Sequence, residues 1–81
     1  MKVVTGIGHL IVGFEEGKLA GRTYRMGGDR LVKENGYGFW VHIQTMRQIE
    51  PYEIMLTPQE KNEIIELMKE NSDKFPFELE F

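Results

Sequence analysis

All nine glycines of this chain lie at positions 6 to 38, and none follows. Glycine costs backbone entropy inside regular structure and supplies the positive φ of tight turns. Its confinement to residues 1–44 therefore predicts short, turn-punctuated strands there and a different architecture afterwards.

The apolar pattern agrees. His9-Leu10-Ile11-Val12-Gly13-Phe14 is a β-branched run closed by Glu15-Glu16-Gly17-Lys18, which reads as a hairpin loop, and Gly6-Ile7-Gly8 reads as a turn. Arg22-Thr23-Tyr24-Arg25-Met26 alternates until Gly27-Gly28-Asp29, read as a second turn, and Leu31 and Val32 add a short strand. Tyr37 to Gln44 carries the strongest strand signal: Phe39, Val41 and Ile43 share one face, assigned to the core, and Trp40, His42 and Gln44 share the other. Pro51 restricts Glu50, so the segment from Met46 to Tyr52 is expected to leave the sheet.

Beyond it, Thr57-Pro58-Gln59-Glu60 has the chemistry of a helix start. Threonine is the N-cap, proline stands where its missing N–H costs nothing, and glutamate can close a capping box. Ile64, Ile65 and Met68 form an apolar stripe, Gln59, Glu63, Glu66 and Glu70 point away, and Asn71-Ser72-Asp73 ends the helix. The tail alternates again, with Phe75, Phe77, Leu79 and Phe81 on one side, and Pro76 demands an edge or strand-start position. The expectation is an α+β fold: an antiparallel sheet of about four to six strands, packed by one C-terminal helix and followed by a terminal strand.

With 81 residues, the chain has material for one core, so residues 1–81 are read as one domain. Apolar residues at 41% and charged residues at 28% suit a globular chain. Zero cysteines exclude disulfides and thiolate metal sites and fit a reducing compartment. Glycine and His9 interrupt the start before an apolar leader segment forms, so a cytoplasmic protein without membrane contact is expected. Residues 1–44 carry six basic and four acidic side chains, net +2, and the remainder four and nine, net −5. That asymmetry disfavours nucleic acid as the partner of the C-terminal half and suits a basic protein partner.

Candidate chemistry is sparse. His9 and His42 are the only side chains of a type that titrates near neutrality, and neither has metal or nucleophile spacing around it. The glycine pairs lack the strand-to-helix context of a phosphate loop. No catalytic residue, metal or cofactor is called for, and a binding protein is expected. Asn35-Gly36-Tyr37-Gly38-Phe39-Trp40-Val41-His42 is similar to the signature octapeptide of the RNA-recognition motif. Asn35, Trp40 and His42 depart from it, and no helix fits between the first strands, so an RNA-binding module built on Tyr37, Phe39 and Trp40 stands as the alternative. A housekeeping interaction domain, with a homodimer left open, is the other alternative. Trp40 suits an interface anchor or a cover for the second sheet face.

Three stretches carry a family likeness: Gly21-Arg22-Thr23-Tyr24-Arg25 with Gly27-Gly28 and Leu31; Phe39-x-Val41 through Met46 and Ile49-Glu50 to Pro51; and Thr57-x-x-Glu60-Lys61 with Ile64-Ile65 and the closing Phe77-Glu78-Leu79-Glu80-Phe81. From Arg22 to Phe81 the chain resembles the bacterial immunity protein 74 family, small cytosolic proteins encoded beside polymorphic toxins. The resemblance implies non-enzymatic, stoichiometric binding to a cognate toxin domain. Toxins that cut nucleic acid present basic clefts, so Trp40, His42, Glu63, Glu66 and Glu70 are the candidate partner-binding residues.

Overall fold

In the computed structural model, which describes residues 1–81, the chain forms a six-stranded sheet, one α-helix and a short 3-10 turn. The strands are β1 (Lys2–Gly6), β2 (His9–Gly13), β3 (Thr23–Lys33), β4 (Gly36–Glu50), β5 (Ile54–Met55) and β6 (Glu78–Glu80), and the helix α1 spans Pro58–Glu70. Strands β1 to β5 lie side by side in chain order, each antiparallel to the next. The terminal strand β6 joins the other end of β4, and that pairing is parallel because the helix carries the chain back along the sheet before it re-enters. No helix is long and apolar enough to cross a membrane.

The expected α+β architecture is thus present, with three local corrections. Gly27-Gly28-Asp29 does not turn the chain: β3 runs straight through it and takes in Leu31 and Val32. A β-carbon at Gly28 would lie 2.8 Å from Phe39 Cζ and closer still to the Trp40 carbonyl oxygen, so glycine here makes room for a neighbouring strand's ring.

Second, the segment from Met46 does not leave the sheet, since β4 stays paired to Glu50. Between the pairs Arg25–Arg47 and Gly27–His42, residues Ile43 to Met46 face Met26 alone, a β-bulge larger than the usual two-against-one kind. Thr45 repairs the ladder there. Its hydroxyl accepts from the Gly27 N–H at 2.8 Å and donates to the His42 carbonyl at 2.6 Å. Past the bulge, Met46 and Gln48 return to the buried side, and the Gln48 amide donates to the Tyr52 carbonyl at 3.0 Å where the strand ends. Third, β1 and β5 were not foreseen; β1 is the Val3-Val4-Thr5 run ahead of the Gly6-Ile7-Gly8 turn.

The helix forms as its cap chemistry dictates. The Thr57 hydroxyl accepts from the Glu60 N–H at 3.1 Å, and Glu60 Oε1 accepts from the Thr57 N–H at 2.9 Å. Ile64, Ile65 and Met68 are buried against Leu10, Val12, Tyr24, Met26, Phe39, Val41 and Met46. Phe75 closes this core, and Phe77, Leu79 and Phe81 pack half-buried beside it. Burial pushes the Tyr24 phenol above its ordinary pKa, against the opposing influence of Arg22. Helix and tail both lie on the side of Phe39 and Val41, so the opposite face of the sheet is left open.

Candidate functional site

Directly paired antiparallel residues share a face, so the register defines what the open side displays. One row runs Gly6, His9, Gly27, His42 from β1 to β4. The next, toward the hairpin tip, pairs Asp29 with Trp40 and brings Glu80 alongside. On the other flank of the histidine row come Val4, Ile11, Arg25, Arg47 and Met55. The alternation holds in the burial: Tyr24, Met26, Met46 and Gln48 are enclosed, and Arg25 and Arg47 between them are exposed.

Trp40 is 47% exposed on the open face, between Asp29 and Glu80. Its ring meets that of His42 edge-on, with centroids 5.0 Å apart and planes at 85°. His42 is fixed in turn, because its Nε2 lies 2.9 Å from Asp29 Oδ2. Strand alternation supplies Trp40 and His42 from one strand, and the β3–β4 register supplies Asp29 from the next. Beside them Lys33 bridges to Glu78 and Glu80 across the sheet, and chiefly the Glu80 carboxylate raises the lysine's pKa above its ordinary value.

The two histidines flank Gly27 but do not act together. The ring of His9 leans over Gly6, with Nδ1 3.3 Å from the Ile7 carbonyl, whereas His42 leans toward Asp29. No three His, Asp or Glu side chains gather as a metal-ion site. Thr45, the hydroxyl nearest in the bulge, is committed to the ladder bonds described above.

The five candidate residues do not share one surface. Trp40 and His42 stand on the open face, whereas Glu63, Glu66 and Glu70 lie on a helix packed against the other face. Glu63 and Glu66 line a cleft of about 740 Å³ between α1 and the β2–β3 loop, with Phe14, Leu19 and Leu67 among its lining residues. Both are partly neutralised, Glu63 by Lys18 at 3.4 Å and Glu66 by Lys69 at 3.6 Å. Glu70 is exposed near the helix end.

The aromatics of the RNA-binding alternative are also divided. Phe39 is buried in the core, Tyr37 leaves β4 on that same face with Arg30 over its ring, and Trp40 leaves on the other. They form no common stacking platform. The feature of the open face that sequence reading did not find is the Arg25–Arg47 pair, whose members meet only through the register beyond the bulge. Comparison with protein-family models, with curated proteins and with solved structures finds no match.

Proposed function

We propose that this chain is a non-enzymatic binding protein that neutralises a cognate bacterial toxin domain by occupying a surface the toxin needs, and that it engages this partner through the open face of its sheet. The toxin part of the reading rests on the resemblance carried by Arg22 to Phe81. The choice of surface rests on one observation: a half-exposed Trp40 stands on an uncovered face, held by His42, which Asp29 holds in turn.

Preorganisation favours this face. Tryptophan offers a large contact area with few rotors to freeze, and a ring already braced on its own sheet loses little entropy on docking. A strand interior fixes such a ring better than a loop does. The acidic helix face lacks such an anchor, since the apolar residues of its cleft are half-buried or buried.

Co-expression with the toxic domain encoded by the neighbouring gene tests the reading, followed by titration of the two purified proteins. Restored growth and a one-to-one complex are expected. Absence of rescue, or of binding at micromolar concentration, would sink it.

A further inference from the structure

Arg25 and Arg47 are directly paired across β3 and β4 on the open face, and both are exposed. Like charges placed opposite each other weaken a sheet. Neither guanidinium is relieved by an acid, because the molecule's ion pairs are Lys18–Glu63, Lys33–Glu78, Lys33–Glu80, His42–Asp29 and Lys69–Glu66. Its other two arginines are differently placed: Arg30 lies over the Tyr37 ring, and Arg22 adds, after the Thr57 N–H and hydroxyl, to what holds the Glu60 carboxyl below its ordinary pKa.

We propose that Arg25 and Arg47 form a two-guanidinium clamp that receives an acidic side chain of the partner protein. This deepens the reading of the open face as the binding surface and rests on it. Two adjacent planar forks can hold both oxygens of one carboxylate with charge-assisted hydrogen bonds, which a pair of lysines would do with less geometric definition.

The surroundings favour an acidic protein segment over nucleic acid. Ile11 continues the row on one side and Met55, 83% exposed, on the other, so the clamp is flanked by apolar side chains suited to a peptide. A phosphate backbone needs a continuous basic track. Along this face the track is broken by Asp29 and by Glu78 and Glu80 beside Lys33, in a chain of net charge −3. The clamp also supplies the attractive charge on a face where Trp40 supplies contact area.

The test uses the full chain, arginine Nε–H resonances and two probes, octaglutamate and an oligothymidylate of similar charge, at low salt. The Arg25 and Arg47 resonances should shift together and saturably with octaglutamate, while those of Arg22 and Arg30 stay in place. Both shifts should be lost in Arg25→Thr and in Arg47→Thr. Each variant should melt at the same temperature as the parent or higher, because the like-charge pair is relieved. Equal shifts at all four arginines, no shift at all, a response to oligothymidylate alone, or a lowered melting temperature would each overturn the clamp. Because the probe is not the toxin, such a failure beside intact toxin neutralisation removes the clamp and leaves the functional reading. Clean octaglutamate binding without neutralisation does the reverse.

Discussion

The ring of Phe77 stacks on that of Phe39, with centroids 5.4 Å apart and planes 20° from parallel. This contact joins the end of the chain to the first part of β4, and β6 follows at once, pairing Glu78, Leu79 and Glu80 with Gly38, Phe39 and Trp40. The half of the sheet near the β3–β4 hairpin tip thus depends on the tail for its cover. A large apolar side chain contributes roughly 1.5–3 kcal/mol on burial, and a domain of this kind holds about 5–15 kcal/mol in all. Deleting residues 77–81 should therefore abolish cooperative unfolding. A truncated chain that melts with an unchanged midpoint would show that the tail is no part of the core.

Adjacent glycines should respond differently to the same added methyl. At Gly28 the new carbon would meet the Trp40 carbonyl and the Phe39 ring, whereas at Gly27 its nearest neighbour, Thr45 Oγ1, is at 3.4 Å. Overpacking costs about 1–3 kcal/mol, and a backbone carbonyl gives way less readily than a side chain, so Gly28→Ala should fall at the upper end. Gly27→Ala should be near neutral, since alanine loses less entropy than glycine on entering a strand. Equal denaturation midpoints for the two variants would contradict the strand placement of Gly28.

The capping box makes helix stability depend on pH in a defined direction. The Thr57 backbone N–H, and after it the Thr57 hydroxyl, hold the Glu60 carboxyl below its ordinary pKa. A group whose folded pKa is depressed stabilises the fold above its unfolded value, here ~4.3, and loses that contribution as pH falls through the folded value. Glu60→Gln should lower the urea midpoint at neutral pH, with the gap to the parent closing on acidification. Thr57→Ala should cost about 1 kcal/mol at neutral pH, and Pro58 should tolerate replacement better. A gap for Glu60→Gln that widens in acid would mean that the carboxylate is not what the box holds.

What could be read from residue order was whatever depends on near neighbours. Thr57, Pro58 and Glu60 specify the helix start within four residues, and α1 begins there. Alternation placed Phe39 and Val41 inside and Trp40 outside, as found. The errors came where a residue answers to another strand. Gly27-Gly28 has the composition of a turn, and only the Phe39 ring crossing Gly28 explains it as strand. Nothing local to Met46 announces that Thr45 will replace a ladder partner and keep the strand in the sheet. The candidate surface divided for the same reason. Trp40 and the helical glutamates each point away from the core, but the pairing decides that they do so on opposite sides.

That division makes the choice of binding surface measurable. A standard interface buries about 800 Å² on each partner, roughly one-seventh of this molecule's 5424 Å², so a rigid partner cannot cover the open sheet face and the outer face of α1 together. Trp40→Ala and the reversal Glu63→Lys with Glu66→Lys therefore should not both weaken the proposed complex with a toxic domain. If the open face binds, Trp40→Ala removes its aromatic anchor. Hot-spot truncations cost about 2 kcal/mol or more, which is roughly a thirtyfold faster dissociation with little change in association. The double glutamate reversal should then leave dissociation unchanged and alter association only slightly at low salt, through the long-range field. Surface plasmon resonance at two salt concentrations separates the two rate constants. A Trp40→Ala protein that dissociates like the parent, together with a glutamate reversal that dissociates markedly faster, would transfer the site to the cleft between α1 and the β2–β3 loop.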